Sequence, residues 1–227
     1  MVLTLDVPVP SSAASCQAEL CGVQWLLERR RDGVRCVAMD GEVLWEALLG
    51  LPEGRSLLRI RATVPRHPLE VELASETVLA PDGRVSGWID APLEFVLSVV
   101  DTSDETQEQE LHVLEDKQLR TAWREQEGYH HPWRVALRRK PRKDARRMWL
   151  RMSIKNLGRE PWRPRRCRLL LYGQELRALR DLVLGPRVAW TSAADESVRL
   201  LPLPGSGSAD RARVLQPLFR RLGGTAS

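Results

Sequence analysis

"CGVQWLLERRRDGVRCVAMDGEVLWEALL", residues 21–49, admits two periods, and the choice between them decides the fold. A helix from Ala18 to Arg31 is suggested by Leu20, Val23, Gln24 and Leu27, which nearly make a helical stripe. Against it stand Asp32-Gly33 and Asp40-Gly41. Asp-Gly suits a tight hairpin because both central residues must tolerate positive φ. We therefore read three strands joined by two such turns.

The same period recurs along the chain. Leu58, Ile60, Ala62 and Val64 alternate with Arg59, Arg61 and Thr63, and Leu69, Val71 and Leu73 alternate with Glu70 and Glu72. Leu93, Phe95, Leu97 and Val99 share one parity, as do Met148, Leu150, Met152 and Ile154. Successive side chains on a strand point to opposite faces, so each run describes a strand with one buried face. Asp82-Gly83 marks another turn, and in "IKNLGREPW" Asn156 and Gly158 supply one more. Pro161 and Pro164 restrict the strand that follows to an edge or a late start.

The expected fold is all-β: an antiparallel β-sandwich, or barrel-like sandwich, of one domain over residues 1–201. Residues 202–210, "PLPGSGSAD", read as a flexible linker. Residues 211–227 read as a short basic, amphipathic helical tail, with Val214, Leu215, Leu218 and Phe219 on one side and Pro217 delimiting it.

Composition narrows the function classes. The 227 residues are 43% hydrophobic, enough to bury a sizeable core. No apolar run approaches the roughly 18 residues of a membrane helix. The longest, Leu93 to Val100, contains Glu94. The opening "MVLTLDVPVPSSAASC" lacks a positive segment followed by an apolar one, so a cytoplasmic location is expected. Cys16, Cys21, Cys36 and Cys167 form no CxxC pair and read as small packing residues in a reducing compartment.

Charge is segregated. Trp133 to Tyr172 holds 15 Arg or Lys against 2 Asp or Glu, whereas Asp101 to Gly128 holds 9 acidic and 3 basic residues. The acidic segment can cover the basic one, within a molecule or between neighbours. Arg outnumbers Lys by 31 to 4, a bias that GC-rich codons alone would produce.

"VSGWIDAPLEFVLSVVD", residues 85–101, resembles the Pro-hydrophobic-Glu strand of an uncharacterised prokaryotic family, domain-of-unknown-function family 432. "MSIKNLGREPWRPRRCRLLL", residues 152–171, is similar to that family's later strand, Asn-turn and strand. Between them this chain has "DKQLRTAWREQEGYHHPWRV", where only Lys117 and Gly128 echo the family pattern. The resemblance implies no catalytic residue and transfers no site.

Signatures of catalysis are missing from the sequence: no GxGxxG, P-loop, HExxH or nucleophile elbow. His130 and His131 in "GYHHPW" and the thiol of Cys167 are the candidates an enzyme would use. The carboxylates of residues 101–116 read as a solvated loop or exposed edge rather than a placed catalytic pair. No metal or cofactor is implied.

Strand parity instead selects a basic face. Applied to residues 133–171, it puts Trp133, Val135, Leu137, Cys167, Leu169 and Leu171 inward. Arg134, Arg138, Trp149, Arg151, Lys155, Arg166 and Arg168 then share one outer wall if the strands are neighbours. The leading expectation is a non-catalytic protein-interaction or structural module of a bacterial assembly, acting through this face by partner binding or self-association. The alternative is RNA or DNA binding, with guanidinium groups on phosphates and Trp149 as a stacking platform.

Tryptophan (8) outnumbers phenylalanine (2) and tyrosine (2), and most of these rings should lie in the core or an interface. Native emission is expected to be blue-shifted. Emission near that of the unfolded chain contradicts the burial.

Overall fold

Turn chemistry sets the architecture. The computed structural model describes residues 3–10, 15–51, 56–101, 104–116, 132–192, 197–203 and 214–215, and among them there are strands and turns but no α-helix. None of these residues forms a helix long and apolar enough to cross a membrane. After β1 (Thr4–Pro8), the strands β2 (Ser15–Leu20), β3 (Val23–Arg30), β4 (Gly33–Asp40) and β5 (Glu42–Leu49) form a four-stranded antiparallel meander. Asp32-Gly33 and Asp40-Gly41 sit at its last two turns, as their chemistry demands. At the first turn Cys21 (φ 51°) and Gly22 (φ 81°) are both left-handed, the requirement of a tight hairpin. Val23, Trp25 and Leu27 go inward and Gln24 outward, so the helical stripe is not used.

A Cβ at Gly22 would stand 2.5 Å from the Ala145 Cβ. The loop holding Ala145 therefore rests directly on this turn, and Arg146 N–H donates to the Cys21 carbonyl at 2.9 Å.

Three more sheets follow. β6 (Ser56–Thr63), β9 (Glu94–Asp101) and β10 (Asp104–Leu114) join β1 in the order β1-β6-β9-β10. β7 (Leu69–Leu73) lies between β11 (Trp133–Val135), parallel to it, and β13 (Arg166–Leu169), antiparallel. The largest sheet is built around β12 (Arg147–Lys155). β8 (Arg84–Pro92) covers one side of β12 along its whole length. β15 (Leu182–Leu184) and then β16 (Arg187–Thr191) lie parallel along the other side. β14 (Arg177–Leu179) pairs with β15, and β17 (Ser197–Leu201) with β16. Between β8 and β9 only Leu93 intervenes, so the chain passes from the β12 sheet to the β9 sheet at Pro92–Leu93.

One cluster of buried side chains draws on all four sheets: Trp25, Phe95, Leu69, Val135, Met148, Leu150, Met152 and Trp190 belong to it. The parities read from the sequence hold at Leu58, Ile60, Leu69, Val71 and Leu97, and at the four alternate residues from Met148 to Ile154.

The turn at residues 156–158 is held by Asn156, which is wholly buried. Its Nδ2 donates to the carbonyls of Leu79 (2.9 Å) and Glu160 (2.8 Å). Its Oδ1 accepts from Gly158 N (2.9 Å) and Ser192 Oγ (2.5 Å). β13 starts only at Arg166, after both prolines, and is an edge strand. The helical tail expected for residues 211–227 is not seen: Val214–Leu215, β18, pair antiparallel with Val198 and Arg199. Residues 204–213 and 216–227 lie outside the described residues.

On the outer face of the β9 sheet, Arg59 binds Asp6 (2.8 Å) and Glu108 (3.3 Å), and Arg61 binds Glu108 (2.5 Å). Arg66 pairs with Glu110 at 2.6 Å, which holds that carboxyl below the usual range. Beneath them Glu94 is fully buried. It accepts Arg66 N–H at 3.0 Å on one oxygen, while the other oxygen has no partner among the described residues.

Desolvation pushes the Glu94 pKa up to about 7, with Glu115 adding repulsion and Arg66 opposing. An acid whose folded-state pKa exceeds its ordinary 4.5 holds its proton more tightly folded than unfolded. That contribution to stability is complete below pH 4.5 and is lost as pH rises through about 7. Thermal melts at pH 5 and pH 8 should show a larger fall in Tm for the wild type than for Glu94→Gln. Parallel pH profiles for the two proteins contradict the assignment.

Candidate interaction site

The seven residues expected on one basic wall are divided between two sheets. Arg134 on β11 and Arg166 and Arg168 on β13 flank β7, which brings acidic residues to meet them. The register places Arg134 and Arg166 opposite Glu72, and Arg168 opposite Glu70. Glu72 is only 5% exposed and receives Arg166 Nε at 3.0 Å and Nη2 at 2.9 Å, with Arg165 Nε at 3.5 Å. On this wall Glu72 is matched to Arg165 and Arg166.

Trp149 is a correction. Its parity is outward, but its side chain is 2% exposed, and its indole N–H donates to the Arg142 carbonyl at 2.7 Å. The basic loop before β12 folds over it, so Trp149 is a packing residue and offers no stacking platform. The acidic segment supplies an exposed edge, one of its expected forms, and its residues 117–128 lie outside the described residues. β10 is an edge strand whose Glu108 and Glu110 serve Arg59, Arg61 and Arg66, and Asp116 binds Arg147 at 3.0 Å.

The β12 sheet holds the remaining cations. Arg151 and Lys155 project outward, as their parity requires, while Met152 and Ile154 are fully buried. Antiparallel register sets Arg151 opposite Trp88 and Lys155 opposite Arg84. The parallel register Met152–Val188 brings Arg187 beside Arg151. Arg199, opposite Ala189, extends the same face. Arg138 joins at the edge through a pair of backbone hydrogen bonds with Trp88, at 2.8 and 2.9 Å.

Elsewhere cations stand against carboxylates, as in the Glu28–Arg35–Glu46 chain on the β3 meander, where Arg35 holds both acids below the usual range. Among the described residues, Arg84, Arg151, Lys155, Arg187 and Arg199 make no ion pair. Arg84 Nε donates to Ser153 Oγ at 3.0 Å, and the Arg151 guanidinium lies 6.0 Å from the Trp88 ring centroid. Like charges at cross-strand spacing repel, modestly in water and less beyond a Debye length of roughly 8–10 Å. Such a face gains when an anion settles on it.

Trp88, Arg84, Arg187 and Arg199 were missed because they lie outside residues 133–171. The signal was present: in "RVSGWIDAP" the outward parity is Arg84, Ser86, Trp88 and Asp90. What the sequence lacked was the pairing of β8 with β12.

Of the enzyme candidates, Cys167 is buried on β13, and His130 and His131 lie outside the described residues. Burial pushes the thiols of Cys21 and Cys36 up to about 11 and 12, away from nucleophilic character. No protein-family model, no curated protein and no solved structure matches this chain. What the site does is read from its own chemistry.

The two walls should respond differently to truncation. Arg166→Ala leaves a buried carboxylate short of its partner and should cost about 1–3 kcal/mol in urea unfolding. Arg151→Ala, on the unmatched face, should stay within about 0.5 kcal/mol of wild type. Equal effects contradict the distinction.

Proposed function

We propose that this chain is a β-sandwich module without catalytic function that binds an acidic protein segment through the outer face of the β12 sheet. The observation that carries this reading is the row Arg151, Arg187, Lys155, Arg84 and Arg199, without an ion pair among the described residues, in a molecule where Arg35, Arg59, Arg61, Arg66 and Arg166 on other elements are each bound by carboxylates. Carboxylates complete those other clusters, at the spacing that strands impose. A partner's Asp or Glu residues at the same spacing complete this one. Electrostatic complementarity of this kind sets partner choice and on-rate, and it weakens with salt.

Single-stranded nucleic acid is the second reading. Trp88 beside Arg151 supports it, since aromatic rings among cations stack bases. One ring is a small platform, and the burial of Trp149 removes the other ring assigned to the task. The protein reading is therefore preferred.

Labelled poly-L-glutamate and an oligo(dT) of equal charge distinguish the two in fluorescence anisotropy. Poly-L-glutamate should bind the wild type at low salt and weaken steadily as salt rises. The triple variant Arg151→Glu, Lys155→Glu, Arg187→Glu should bind at least about tenfold more weakly. Undiminished binding by the variant, or binding of oligo(dT) alone, overturns the proposal.

A further inference from the structure

The basic face is interrupted by an aliphatic groove of about 350 Å³, at the size expected for a small binding site. Leu179, Leu184 and Leu203 line it together with Trp88, Arg151, Arg177 and Arg187. Leu179 is 49% exposed. A strand-borne leucine open to water inside a ring of guanidinium groups is not accounted for by charge matching alone.

Resting on the acidic-segment reading, we infer that this groove anchors one large apolar side chain of the partner, embedded among its carboxylates. The geometry supplies both halves. Register puts Leu184 beside Arg177 on β14 and Trp149 on β12, all on the outward parity, so the aliphatic lining and the cations face the same way. Arg151 and Arg187 line the same groove, so acidic residues flanking an inserted side chain meet them there. Trp88 forms an apolar wall, and its ring carries Arg151 at 6.0 Å.

The occupant is specified by this combination. An aliphatic lining offers nothing to a phosphodiester, whereas a leucine or phenylalanine gains by leaving water. The chain's own last segment, residues 211–227, is excluded by charge: it holds four arginines and no acidic residue. A partner segment with an apolar residue among Asp or Glu satisfies both requirements. The carboxylates then provide long-range attraction, and the anchor provides register, as buried apolar anchors inside a polar rim do in interfaces.

Two short labelled peptides test the inference at low salt. One alternates Glu and Ser; the other has a central Ser replaced by Leu. The Leu peptide should bind the wild type about tenfold more tightly, the gain from burying most of one leucine. Leu179→Ser, at an exposed position that folding does not depend on, should abolish that advantage and leave the Glu/Ser peptide unaffected. Equal, salt-sensitive binding of both peptides to the wild type overturns the anchor and leaves the charged face standing. Failure of both peptides to bind overturns the charged face and the anchor with it.

Discussion

Pairing of β12 on both sides is the constraint on which the rest depends. A strand hydrogen-bonded along both edges cannot rotate its faces, so the zero exposure of Met148, Leu150, Met152 and Ile154 fixes where Arg151 and Lys155 must point. A slip of one residue would put arginine into the core. Burying an unpaired guanidinium costs several kcal/mol, far more than any repulsion on the wet side. The core therefore enforces the basic face, and the repulsion among its cations is a tolerated consequence.

Neighbouring strands then decide what each cation becomes. β12 and β13 both alternate arginine with apolar residues. β13 lies next to β7, so Arg166 is neutralised by Glu72 and Arg168 stands opposite Glu70. β12 lies next to β8 and β16, which offer Trp88, Arg84 and Arg187, so its cations add to others of the same sign. The outward parity of β8 brings one carboxylate to β12, Asp90, opposite Trp149. Glu108 and Glu110 lie along β9 and close the ion-pair network with Arg59, Arg61 and Arg66.

This division explains how much could be read from the residues alone. Parity is local, and it placed Ile60, Val71, Leu97 and Leu150 in the core correctly. The Asp-Gly turns and the Asn156–Gly158 turn are local as well, since each depends on φ tolerance or on a side chain bonding its own backbone. Trp149 failed because a loop, not a strand, decides its burial, and periodicity says nothing of loops. The composition of the basic face failed because β8 is separated from β12 by more than fifty residues and by three other strands. The helix assigned to residues 211–227 failed at Val214 and Leu215 because the open edge of β17 offers backbone partners that an apolar stripe cannot reveal.

The basic face stands or falls with the register of β8 against β12, which backbone NOEs in the folded protein report. Cross-strand contacts should link Trp88 with Arg151 and Gly87 with Met152, together with parallel contacts between Met152 and Val188. Contacts joining residues 147–155 to residues 166–169 instead would merge the two arginine-bearing strands into one wall and contradict it.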